Sequence, residues 1–268
     1  MTGVPRSVAS VPGDEYLSVR DQLPPPVEEL VSAFRSPITQ IEFLYLIHEA
    51  GILRPVLVDA EVATRMVRPY AWLLDQVGAE GIKLTSAGYL PPVHVEAAVA
   101  ELGLAAEWIG SYNRESQTLP VLELRESAMK LGLLRKYQGK LLVTVRGREL
   151  RSDPAALWWH LAENVPLAKA GRPRRYAGLL LLAAVAGQLS EDPFEYVARM
   201  LGEAGWADSR DGQPLDKSDA RSVVQETYVP LVRLGALASD PHGFGPHRPT
   251  PEGATFALAA LRTWPSPR

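Results

Sequence analysis

LPVLELRESAMKLGLLRKYQGKLLVTVRGREL, residues 119 to 150, carries two hydrophobic periods in succession. Val121, Leu124, Ala128 and Leu131 recur at spacings of three and four, which places them on one face of a helix. Gly132 interrupts that pattern. Leu133 to Tyr137 and Leu141 to Val145 then read as two short strands joined by Gln138-Gly139-Lys140, a composition suited to a tight turn. Thr144 sits where a side chain can cap the next helix, and Gly147 follows three residues later.

Upstream, Asp59 caps a helix reaching about Val77, with Gly78 as its stop and Pro69 as an internal kink or break. A short strand Ile82-Lys83-Leu84-Thr85 and a helix over Pro92 to Leu102 follow. Helix, strand, two helices and a twisted hairpin are the parts of a winged helix. The same cassette returns nearer the C-terminus. Helices are expected over 176–189, Asp192 to Ala204 and Ser218 to about Leu234, the last bent at Pro230. Leu234-Gly235-Ala236-Leu237 opens a strand, PHGFGPH forms a wide loop, and Pro251 starts a final helix to Leu261. A Thr-x-x-Gly step into a helix is expected at Thr85–Gly88, Thr144–Gly147 and Thr250–Gly253.

The expected fold is therefore mainly α with small β-hairpins: tandem winged-helix modules preceded by a helical lead-in. Residues 1–27, rich in Pro, Ser and Gly and containing Pro24-Pro25-Pro26, read as a flexible arm. Residues 28–165 hold the lead-in and first module, 166–175 a basic linker, 176–262 the second module and 263–268 a flexible tail. In the lead-in, Ser36-Pro37 is a capped helix start and ITQIEFLYLIHEA, mostly apolar, is expected to be substantially buried.

The stretches 81–103 and 124–166 resemble the helical C-terminal region of actinobacterial plasmid open-reading-frame-three-like, or insertion-element passenger, proteins. Leu-Thr-x-Ala-Gly-Tyr-Leu-Pro-Pro and Leu-Gly-Leu-Leu-Arg carry the resemblance, which covers about residues 60–170. Members usually have a separate N-terminal domain, which is not expected in this chain. The resemblance implies a nucleic-acid context through mobile elements and supplies no catalytic residue.

Across 268 residues the chain is 46% hydrophobic and 22% charged, an ordinary globular composition, with a formal net charge of −3. It has no cysteine, which excludes disulfides, thiolate catalysis and Cys-ligated metals. The longest near-apolar run, Tyr176 to Gly187, is too short to cross a bilayer and reads as a buried helix. With no signal-peptide pattern, a cytoplasmic location is expected. Between Arg114 and Arg175 stand thirteen Lys/Arg and six Asp/Glu, a net of +7 inside a chain that carries −10 elsewhere. Such an excess suits a polyanion, and equally a solvated hairpin.

For double-stranded DNA, the third helix of the first module would present Arg125 and Lys130 among Glu123 and Glu126, a poor cationic face. The wing is better endowed, with Arg135, Lys136 and Lys140 in the hairpin and Arg146 and Arg148 just after it. Gly171-Arg172-Pro173-Arg174-Arg175 resembles the core of an A·T-hook, or is a basic linker with no partner. The expected function is a DNA-associated winged-helix protein, with transcriptional regulation as a role it would suit, that contacts the duplex backbone through wing and linker. The rival is a non-enzymatic module that dimerises or docks a protein through its C-terminal half. No catalytic, cofactor or metal site is expected. The five histidines are scattered, and Asp240, His242 and His247 lack a nearby third imidazole. Glu42 and His48 fall on different helix faces, and Trp158-Trp159 read as packing between modules.

Overall fold

A computed structural model describes residues 19–106, 112–167, 171–208, 212–238 and 247–263. The chain is mainly helical with small antiparallel sheets. Residues 19–27, read above as part of an arm, are packed down: Val19, Leu23 and Val27 are buried. α1 (Pro25–Ala33) buries Val27, Leu30 and Val31 at helical spacing. α2 (Pro37–Glu49) follows from Ser36, which occupies the N-cap position without a side-chain capping bond. Only half of α2 is covered. Phe43, Leu44 and Ile47 face the core, whereas Ile38, Ile41 and Tyr45 form an exposed apolar row at i, i+3 and i+7.

α3 (Ala60–Val77) is capped by Asp59, whose carboxylate accepts from the backbone N–H groups of Glu61 and Val62. It runs unbroken through Pro69, as α10 (Lys217–Arg233) does through Pro230. Packing of the flanking turns outweighs the one hydrogen bond each proline removes. β1 (Ile82–Lys83), α4 (Pro92–Leu102), a 3₁₀ turn at Glu115–Gln117, α5 (Leu119–Lys130), β2 (Leu134–Tyr137) and β3 (Lys140–Val143) complete the first unit. Its sheet has the order β1-β3-β2, all antiparallel. Gln138 and Gly139, with φ of 47° and 73°, make the two-residue turn whose twist matches a hairpin.

α6 (Val145–Leu150) and α7 (Pro154–Asn164) lead to the second unit. There α8 (Arg172–Ala186), α9 (Pro193–Glu203) and α10 precede a two-stranded sheet of β4 (Leu237–Ala238) and β5 (Arg248–Pro249), and α11 (Pro251–Thr263) closes it. From Tyr176 to Ala186 every residue of α8 is buried, as a helix apolar all round requires. α3 packs on α7 as α8 packs on α11, and α7 packs on α11. At that last contact Trp158 is fully buried. Its ring meets Phe256 edge-on at 5.3 Å, and its indole N–H points to the Met66 sulfur at 3.3 Å. The buried side chains of both units form one continuous core.

A strap built from the same residues closes each hairpin. The Thr144 hydroxyl donates to the Gly132 carbonyl at 2.7 Å and accepts from the Gly147 N–H at 2.9 Å. In the second unit Thr250 donates to Gly235 at 2.9 Å and accepts from Gly253 at 3.0 Å. Thr85–Gly88 departs from this pattern. Thr85 accepts from the Tyr89 N–H in a turn that no helix follows directly. A Cβ at residue 147 would collide with the Leu133 carbonyl, and one at 253 with the Ala236 carbonyl, so only glycine lets each helix start lie against its strand. Gly147→Ala and Gly253→Ala should each destabilise the protein by about 1–3 kcal/mol. Gly202→Ala, where added bulk meets nothing within 4 Å, should stabilise it by about 0.5–1 kcal/mol. Urea unfolding followed by circular dichroism measures all three, and equal effects would show that the strap does not depend on close approach.

Candidate nucleic-acid interface

The register of the first sheet sorts its side chains onto two faces. Leu134 pairs with Val143 and Ile82 with Leu141, and all four are buried against the core. Alternation then sends the residues between them outward. Lys83 pairs with Lys140, Lys140 with Tyr137, and Arg135 with Leu142. Lys83, Lys140 and Tyr137 therefore form one row across three strands, about 10 Å end to end at the usual strand spacing. Arg135 stands beside that row with its guanidinium 5.2 Å from the Tyr137 ring centroid.

Two lysines placed directly opposite each other repel and lower sheet stability slightly. Among the described residues no carboxylate lies within ion-pair distance of Lys83, Arg135, Lys136 or Lys140. Lys140 donates to the Glu80 carbonyl at 3.4 Å. Lys136 points to the opposite face and donates to the Gly88 carbonyl at 2.8 Å, and burial draws its pKa below the ordinary lysine value. The result is a cationic face with one aromatic ring and a phosphate-scale span. Lys83 was not among the expected site residues. Its signal was the apolar pair Ile82 and Leu84, which turns residue 83 outward.

The other expected cations are engaged elsewhere. Arg125, expected to face solvent, is 1% exposed. Its Nε donates to Glu115 Oε1 at 2.5 Å, while Glu115 Oε2 accepts from the Leu90 N–H at 2.7 Å. This buried pair ties α5 to the 3₁₀ turn and to the segment before α4. Helical periodicity cannot reveal it, because the partner lies ten positions upstream in a different element. Lys130 donates to Glu226 of α10 at 2.9 Å, and Gln225 donates to Glu123 at 3.0 Å. α5 is thus packed on α10, and its bare residues reduce to Leu119, Glu126 and Lys130.

Arg146 pairs with Glu149 at 3.4 Å, and its Nε reaches His160 Nδ1 at 3.5 Å. His160 Nε2 meets the Leu131 carbonyl at 2.9 Å, and burial lowers the imidazole pKa. Arg148 donates to the Val143 carbonyl at 3.1 Å. Arg172, Arg174 and Arg175 belong to the first turn of α8, not to an extended linker, so the minor-groove geometry of an A·T-hook is absent. Three cations at a helix N-terminus oppose its dipole. Glu29 of α1 answers them, accepting from Arg175 at 2.9 Å and from the Tyr176 hydroxyl at 3.1 Å, with Arg172 at 3.6 Å. Arg174 lies 4.0 Å from Glu226.

Asp240 and His242 lie outside the described residues. His247 Nδ1 lies 2.5 Å from the Tyr228 hydroxyl, and burial pushes the pKa of that phenol up to about 12. Among the described residues no group of three or more His, Asp or Glu is placed to hold a metal ion, and no helix is long and apolar enough to cross a membrane.

Comparison with family models, with curated proteins and with solved structures yields no match. The resemblance over residues 60–170 rests on its sequence phrases alone.

The Arg125–Glu115 pair generates a stability prediction. Glu115→Gln keeps an acceptor for the Leu90 N–H but leaves a buried guanidinium uncompensated, which should cost about 3–5 kcal/mol. Glu115→Gln combined with Arg125→Met should lose less than Glu115→Gln alone, because no charge then stays buried. Chemical denaturation of the three proteins tests this, and a loss below about 1 kcal/mol for Glu115→Gln would mean that the pair holds nothing in place.

Proposed function

We propose that the chain is a DNA-associated protein of two winged-helix units, which grips the phosphate backbone of duplex DNA through the outer face of its first sheet. The order α3, β1, α4, α5, β2, β3 with strands arranged β1-β3-β2 supports the first unit. The matching strap at Thr250 supports the second, whose described sheet keeps only two strands. The observation that carries the reading is the Lys83–Lys140–Tyr137 row with Arg135 beside it, a set of cations without carboxylate partners among the described residues, two of which repel across the sheet. Backbone contact of this kind is independent of sequence. Base reading by α5 is disfavoured, because α10 covers one side of that helix and its polar groups are paired across the contact. The linker and helix arginines drop out of the proposed interface: Arg125 is buried on Glu115, Arg146 lies against Glu149, Arg172 and Arg175 against Glu29 and Arg174 against Glu226, and Arg148 is held by the Val143 carbonyl.

A second reading, a protein-contact module, is favoured by the exposed row Ile38, Ile41 and Tyr45. That row lies on the lead-in helix α2, not in the C-terminal half.

Fluorescence anisotropy on a 20-base-pair duplex at several salt concentrations separates the two readings. Neutralising about three phosphates gives a slope of log K against log[salt] near −3. Lys83→Ala with Lys140→Ala should bring it to about −1, and duplexes of unrelated sequence should bind alike. A slope near zero, or one unchanged by the double substitution, would refute the proposal.

A further inference from the structure

A cavity of about 340 Å³ opens where the two units meet, away from the sheet face discussed above. Its walls are apolar: Met66 and Pro69 of α3, Leu102 at the end of α4, Leu104, Leu124 of α5 and Leu234 after α10. Among the described residues that line it are also Arg65, Arg68 and Arg233, with Glu252 in the first turn of α11 as the one carboxylate. Arg65 is well exposed and donates to Glu252 at 2.9 Å, an ion pair that joins the first unit to the second. Arg68 donates to the Glu101 carbonyl at 2.5 Å, which fixes its guanidinium at the rim. Each guanidinium carries five N–H donors, so both keep donors beyond the single bond each makes.

Arg68, which has no ion-pair partner among the described residues, brings positive charge to the rim, while the leucines, methionine and proline below it offer no polar partner. Binding sites for small molecules combine an apolar body with a few fixed polar groups in this way. At about 30 Å³ per heavy atom, the liquid volume of one water, the cavity holds roughly ten non-hydrogen atoms. A fully hydrated dianion would leave the apolar walls wasted, and a neutral hydrocarbon would leave the arginines so.

We propose that this inter-unit cavity is a binding site for a small monocarboxylate with an aromatic or branched hydrocarbon body, its charge held by Arg65 and Arg68 and its body seated among Met66, Leu102 and Leu124. The ligand carboxylate would share Arg65 with Glu252, so occupancy is read at the contact between the units. This site is independent of the DNA reading and stands or falls without it.

Isothermal titration of the full chain with phenylacetate tests the proposal, with acetate, 2-phenylethanol and inorganic phosphate as comparators. The expected result is saturable one-to-one binding of phenylacetate, with acetate and 2-phenylethanol each weaker by about tenfold or more, since one lacks the body and the other the charge. Arg65→Gln with Arg68→Gln should weaken phenylacetate by at least about tenfold while the far-ultraviolet spectrum stays unchanged. Arg65→Gln alone, at an exposed position, gives the same direction should the double variant misfold. Absence of saturable binding, phosphate binding as tightly as phenylacetate, or affinity indifferent to both variants would overturn it.

Discussion

A helix enters a DNA groove only if one long face is bare, and α5 has none. Val121, Leu124 and Ala128 are sunk in the core of their own unit, Arg125 is buried on Glu115, and α10 lies along another side through Lys130–Glu226 and Gln225–Glu123. That packing is reinforced at a distance by α7 on α11, where Trp158 fills the space beside Phe256. A fully buried large aromatic contributes several kcal/mol when its alternative is a cavity. The two units are thereby locked with their third helices against each other. What the first unit has left to offer a polyanion is its sheet.

The two units share a frame and differ in what they display. Both turn from helix to strand at a Leu-Gly step with glycine in the left-handed region, Gly132 at φ 75° and Gly235 at φ 67°. Both are strapped by a threonine and a glycine three residues on. The first unit adds β1, and with it Lys83, to the hairpin edge. Gly81, at φ 72°, permits that addition, since a Cβ there would strike Leu142 and the Leu141 carbonyl. The cationic row exists because a third strand could approach that closely.

Much of this was legible in the sequence because the signals were local. Asp59 and Asp192 each cap the helix their position foretells, and Gly78 stops α3. The Gln138-Gly139 turn and the strap at Thr144 and Thr250 follow from residue types a few positions apart. The site was legible only in part. Arg135, Lys136 and Lys140 lie on the hairpin as read, but Arg125, Lys130, Arg172, Arg174 and Arg175 have acidic partners brought in by tertiary packing from 10 to 146 positions away. No periodicity reports such distant charges. The same limit hid Lys83, whose neighbour across the sheet is 57 positions on, and the exposed row on α2, an apolar helix buried along one side only.

The central claim is that the unit-to-unit packing of α5 on α10 persists while DNA is held. The chain has no cysteine of its own, so Glu123→Cys and Gln225→Cys place a unique thiol pair across that contact. Joining them with a short bis-maleimide and measuring duplex affinity before and after is the most direct test. The account predicts that the linked protein binds duplex as tightly as the unlinked one, because the sheet face is untouched. Loss of binding on linking would mean that α5 must be freed to reach the groove, and would contradict it.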